Sequence, residues 1–125
     1  MENEKSDCLK RLIPIVDALD VLKGKWKIPI IGVLCTYEKV GFKELQRYIT
    51  GITPKVLSKE LKDLESCLIL TRTVMDTRPI TVSYSITPFG KTCEPLIMEI
   101  YKWGHEYRER IIDSMKNGDA KKIGA

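Results

Sequence analysis

Histidine is almost missing from this chain, and so are the spacings by which histidine and cysteine make metal sites. His105 is the single histidine, and Cys8, Cys35, Cys67 and Cys93 are dispersed with no CxxC pair. A zinc site of the usual ligand spacing is therefore not expected. No window approaches the roughly 18 continuous apolar residues of a membrane span. No basic segment followed by an apolar run opens the chain either, since MENEKSDCLKR leads into an amphipathic pattern. A soluble, cytoplasmic protein with reduced cysteines and no membrane partner is expected. Gly24 and Gly41 belong to no GxGxxG or GxxxxGK phosphate cradle. Ser58 has neither a nearby histidine in sequence nor a glycine elbow, and His105, between Gly104 and Glu106, suits a solvent-facing or interface position. No catalytic constellation is visible, and neither an enzyme nor a cofactor is expected.

What is present is an ordinary globular balance. The 125 residues suffice for one domain with a real core, and 43% apolar against 30% charged residues argues against disorder or a fibrous chain. Lysine and arginine number 21 against 17 acids, for a formal charge of +4. So small an excess permits a nucleic-acid partner without demanding one, and the place of the positive charge matters more than its sum.

That place is GITPKVLSKELKDLE, residues 51–65. At about 100° per residue, Leu57, Leu61 and Leu64 fall in one narrow sector and Lys55, Lys59 and Lys62 on the opposite side. A lysine-bearing outer face is more commonly a merely solvated one, so its neighbours decide. Upstream, Ile15, Ala18, Leu19 and Leu22 recur at three and four, a helix that Pro14 can start and Gly24 can end. A second helix runs over residues 27–35, with Pro29 in its first turn and Ile28, Ile31, Leu34 and Cys35 turned inward. A third covers residues 41–49, packing Phe42, Leu45 and Ile49. Thr50, Gly51 and Ile52 then form a turn, Thr53 caps, and Pro54 takes the first position of the lysine helix. Helix, short glycine-containing turn and helix make a helix-turn-helix unit, whose second helix docks its outer face in a DNA major groove.

After Ser66 the period becomes two. Leu70, Arg72 and Val74 alternate with Thr71, Thr73 and Met75, and Ile80, Val82, Tyr84 and Ile86 alternate with Thr81, Ser83 and Ser85. Joined across Asp76, Thr77, Arg78 and Pro79, these strands make a basic-tipped hairpin, a wing. From Thr87 and Pro88 a long helix follows, with Leu96, Ile97, Ile100, Tyr101, Trp103, Tyr107, Ile111 and Ile112. It carries more apolar surface than a small core needs, so part of it is expected to meet a second subunit. The expected organisation is a flexible segment over residues 1–11, a DNA-binding and dimerisation domain over 12–113, and a polar, disordered tail over 114–125. Trp26 and Trp103 fit aromatic core or interface anchors better than the lining of an effector cavity.

The chain resembles the HxlR family of winged helix-turn-helix transcriptional regulators, related to the MarR-like group, over roughly residues 12–108. The blocks that carry the resemblance are ALDVLKGKWKIPII, GFKELQRYITGITPKVLSKELKDLE, RTV and VSYSITPFG, in that order. It implies an α+β winged helix-turn-helix, mainly helical with a two-stranded wing and terminal dimerisation helices. The function implied is sequence-specific binding of double-stranded DNA by a homodimer on an inverted repeat. The alternatives are a winged helix that meets an acidic protein by the same surface, and an enzyme with residues gathered from far apart.

The expected DNA contacts are Thr53, Lys55, Ser58, Lys59 and Lys62, with Arg72 and Arg78 on the wing. The expected dimer contacts are Ile15 and Leu19 of the first helix and Ile100, Trp103, Tyr107 and Ile111 of the last. The partners are DNA and a second copy, with an unknown small-molecule effector left open. Three departures from the family pattern stand out. Ile13-Pro14 replaces a common Cys-Pro pair, so Cys8, five residues upstream of Ile13, is a candidate redox-sensing thiol only on its own account. Cys67-Leu68 replaces an acidic-glycine pair, so the turn there must form without glycine's freedom at positive φ. Val82-Ser83-Tyr84 replaces Val-Glu-Tyr, removing an acidic group.

Overall fold

The structure, a computed structural model, describes residues 2–118, and the chain divides into two compact units between Lys91 and Thr92. The first unit holds α1 (Glu2–Leu22), α2 (Lys27–Tyr37), β1 (Lys39–Gly41), α3 (Phe42–Tyr48), α4 (Pro54–Ser66), β2 (Leu70–Met75), β3 (Thr81–Ile86) and α5 (Pro88–Lys91). The second is α6 (Cys93–Lys116). The architecture is the mainly helical fold with a small sheet that the sequence implied.

Helix α1 starts at Glu2, so Pro14 lies inside it instead of starting it, and residues 2–11, the segment expected to be flexible, belong to this helix. Those early residues lack apolar periodicity, but they contain no glycine. Glu4 favours the positive end of the helix dipole, and Asp7 and Arg11 have the stabilising i,i+4 order. Gly24, at φ +92°, ends the segment as expected.

The core is built by α2, α3, α4 and the base of the sheet. On α2 the inward face is Lys27, Ile30, Ile31 and Leu34, the i, i+3, i+4, i+7 positions. Ile28 and Cys35, expected to point inward, are only half-buried, and the helix continues to Tyr37. Val40, Leu45, Ile49 and Ile52 are buried, and so are Leu57, Leu61 and Leu64 of α4. Each such leucine contributes about 1.5–3 kcal/mol of apolar burial. Phe42, expected to pack, is half-buried. Gly41, expected in the third helix, belongs to β1 and precedes α3 in extended conformation.

The sheet has the order β1-β3-β2, antiparallel throughout. Leu70 pairs with Ile86, Arg72 with Tyr84 and Val74 with Val82. Leu70, Tyr84 and Ile86 are buried, whereas Val74, Met75 and Ile80 are exposed, so the hairpin is rooted at one end and projects at the other.

Between α4 and β2 the chain turns without glycine. The Ile69 amide donates to the Leu64 carbonyl at 3.0 Å and the Leu68 amide to Glu65 at 3.0 Å, the paired bonds of a Schellman motif. Its left-handed residue is Leu68, at φ +66°. The side chain is 70% exposed, so it contributes little burial to offset the strain. Leu68→Gly is expected to stabilise the protein by about 0.5–1 kcal/mol, the relieved left-handed strain less the greater chain entropy of glycine when unfolded. Urea denaturation measures it, and a lower midpoint would show that the turn is not strained.

From Thr87 onward the single long helix expected is two helices interrupted at Thr92. Helix α5 is capped by Thr87, whose hydroxyl accepts from the Gly90 amide at 2.8 Å and donates to the Leu68 carbonyl at 2.7 Å. Helix α6 runs to Lys116, three residues into the stretch expected as tail. Of the rest of that expected tail, Asn117 and Gly118 form a turn, and residues 119–125 lie outside the described residues.

Candidate nucleic-acid interface

Helix α4 is positioned from three sides. Its leucine face is sunk in the core, and its start is set by Thr53, whose Oγ1 accepts from the Val56 amide at 3.2 Å, with Pro54 at the first helical position. One flank bears on α2. Lys27, only 5% exposed, pairs through Nζ with Glu60 and lies 3.3 Å from Asp63. Burial alone would lower the Lys27 pKa, but hydrogen bonds and charge from Glu60 and Asp63 together outweigh it and leave it raised. The lysine therefore stays charged through neutral pH, and its pairing is lost only as pH rises through that raised value.

The other flank faces the wing. Ser58, Leu61, Lys62 and Glu65 of α4 line a cleft of about 430 Å³ with Arg72 and Tyr84 of the sheet. Three residues expected from sequence as DNA contacts, Ser58, Lys62 and Arg72, thus come together on one surface. Lys55 and Lys59 are exposed on the outer face of the same helix. Arg78 is exposed in the turn of the wing, and Thr53 is exposed while it caps.

These cations are also unpaired among the described residues. Among the described residues, Lys55, Lys59, Lys62, Arg72 and Arg78 form no ion pair, whereas Lys27, Lys91, Lys102 and Arg110 each do. Sequence reasoning missed Lys27, which it placed only at a helix start. Ile30, Ile31 and Leu34 stand at i+3, i+4 and i+7 from Lys27, but Ile28 and Val33 are apolar too, so this spacing did not single out its face.

The expected dimer residues lie on two helices. On α1, Ile15 and Leu19 are 51% and 64% exposed, and on α6, Ile100, Trp103 and Tyr107 are exposed while Ile111 is half-buried. Trp103 and Tyr107 stack with ring centroids 5.5 Å apart. Cys8 is exposed and the other three cysteines are partly covered, with burial pushing the Cys93 thiol pKa up. Among the described residues no cluster could hold a metal ion, and no helix is long and apolar enough to cross a membrane.

The HxlR-like helix-turn-helix family model matches residues 21–112. YdeP, an HTH-type transcriptional regulator of Bacillus subtilis (strain 168), is 36% identical over 98 residues, 78% of this chain and 76% of its own. Among solved structures, the redox regulator HypR in its reduced form is similar with a TM-score of 0.72 at 34% identity, covering 80% of this chain and 98% of that one. The reduced form of the transcriptional regulator YodB from B. subtilis gives 0.69 at 30% identity, covering 75% and 91%. The helix-turn-helix and the wing both fall inside the family match, and the chain belongs to the HxlR-like helix-turn-helix family of DNA-binding transcriptional regulators.

Proposed function

We propose that the protein binds double-stranded DNA in a sequence-specific manner as a homodimer, with α4 in the major groove and the wing over adjacent backbone. The observation that carries this reading is the charge order of α4. The helix has no acid in its first turn and no base in its last. Lys55 instead sits near the positive end of the dipole, where a cation costs about 0.3–1 kcal/mol, and Glu65 sits near the negative end. Stability alone would reverse that arrangement. A phosphate at the helix start would justify it, since free amides, the dipole and Lys55 all favour an anion there.

Lys59, Lys62 and Ser58 then face base edges or flanking phosphates, and Arg72 continues the surface across the cleft. Arg78 at the wing tip suits a phosphate or the narrow minor groove, where negative potential favours guanidinium. The apolar residues that α1 and α6 leave in water support a second copy as their cover. Two-fold symmetry would set two reading helices about 34 Å apart, one turn of DNA, and would select an inverted repeat. Cys8 is the thiol with open access to an oxidant, which makes it the place to look for redox control.

Selection of bound duplexes from a random pool, with sedimentation of the protein alone and on the winning site, tests the reading. An enriched inverted repeat bound by one dimer is expected. A monomer at micromolar concentration with no enriched sequence would overturn it and turn the basic face toward an acidic protein. On the winning site, Arg78→Ala should lower affinity for specific and random DNA alike and reduce the slope of log K against log salt by about 0.9, one released phosphate. Unchanged affinity and slope would remove Arg78 from the interface.

A further inference from the structure

The family assignment leaves unexplained why a lysine is buried beside the reading helix, where isoleucine and leucine fill every other inward position of α2. A buried ion pair is seldom more stable than a well-packed apolar replacement, because desolvation of both charges offsets their attraction. Packing alone therefore does not call for Lys27.

Its geometry does. Glu60 and Asp63 are three residues apart on α4, and one ammonium group reaches both, with Asp63 at 3.3 Å. The leucine seam fixes how deep α4 sits, but apolar contacts are non-directional and resist rotation about the helix axis only weakly. Two point contacts on one flank set that rotation. A turn of about 20° would carry side-chain atoms some 6 Å from the axis through about 2 Å, enough to lose hydrogen-bond reach to a base.

The preceding residue lies near the preceding turn. A Cβ added at Gly51, in the turn between α3 and α4, would lie 4.0 Å from Trp26 Cη2, so the indole lies near that turn. Lys25 holds its Nζ 4.7 Å from the centre of the same indole ring. Trp26 thus lies near the turn that delivers α4, and Lys27 holds the flank that orients it.

We propose that Lys27 is a positioning residue that, through Glu60 and Asp63, sets the rotation of the reading helix, so that DNA discrimination depends on a side chain that never touches DNA. This rests on α4 being the helix that reads bases, as proposed above. Lys27→Met removes the charge at similar length and leaves Glu60 facing it. Lys27→Met with Glu60→Met removes the buried pair and is the variant expected to stay folded.

The experiment titrates parent and both variants with the duplex enriched from the random pool and with a scrambled duplex of equal composition, well below each melting temperature. The double variant should keep the parent's melting temperature and salt slope while its preference for the enriched duplex falls about tenfold or more. Glu60→Gln, which leaves Lys27 with Asp63, should lose less. A purely structural role would change melting and spare the preference. An unchanged preference in the folded double variant would overturn the proposal, and so would a salt slope lowered by about one, which would make Lys27 itself a phosphate contact. A parent that prefers no duplex would instead sink the proposed function and the positioning role with it.

Discussion

Gly90→Ala should cost about 3 kcal/mol or more, the upper end of what one added methyl does in a packed interior. A Cβ at Gly90 would lie 2.1 Å from the Ile69 carbonyl oxygen, 3.1 Å from its carbon and 2.7 Å from Ile86 Cδ1. The isoleucine methyl can rotate aside. The carbonyl cannot, because it accepts from the Thr87 amide at 3.0 Å while the Ile69 amide is bound to Leu64 at 3.0 Å. Moving Ile69 would loosen the end of α4 and the root of the wing together. In a chain of this size the melting temperature should fall by about 10–15 °C. The control is Gly32→Ala on α2, an exposed position with nothing within 4 Å of an added Cβ. There alanine's better helix propensity should raise stability by about 0.5–1 kcal/mol. Thermal unfolding of the two variants should move in opposite directions, and a Gly90→Ala protein as stable as the parent would show that α5 does not press on Ile69.

Gly90 also shows which parts of this fold a sequence can disclose. Helix α4 was legible because its signals are local: leucines in phase, a threonine cap followed by proline, and lysines opposite. All three features recur in the structure. The wing was legible for the same reason, since alternation and a polar, proline-containing turn predict a hairpin, and the pairing of Leu70 with Ile86 roots it in the core.

What stayed hidden depends on residues far apart in the chain. Strand β1 is three residues long and exists through its pairing with β3, some forty positions away. Lys27 has its partners 33 and 36 positions further on, and its charge masked the true inward phase of α2. With Ile28, Ile30, Ile31 and Val33 all apolar, periodicity alone could not choose the face. The first turns of α1 were missed for a different reason, because helix propensity there acts without an apolar stripe. The break at Thr92 has no glycine at its centre and a proline on each side, at Pro88 and Pro95, and each of those can sit inside a first helical turn.

Replacing Lys55, Lys59 and Lys62 together by alanine should abolish useful DNA binding without harming the fold. All three are exposed, and none forms an ion pair among the described residues, so no buried partner is orphaned. Alanine is the better helix former, and removing Lys55 relieves a cation at the wrong end of the dipole, so stability should hold or rise by about 0.5–1 kcal/mol. The loss on DNA should be large. If all three meet phosphates, the slope of log K against log salt falls by about 2.7, and affinity at physiological salt drops roughly 10²–10³-fold, or about 3–4 kcal/mol. If one of them reads a base, it should add about 1–3 kcal/mol of lost discrimination against the wrong base pair, and the preference for the enriched site shrinks as well. Single replacements divide those roles, because a phosphate anchor weakens all duplexes alike and a base reader weakens mainly the right one. Because the helix itself gains from losing them, a melting temperature that rises while binding disappears would place these lysines at the DNA surface. A triple variant that binds both duplexes as the parent does would move the reading face off α4.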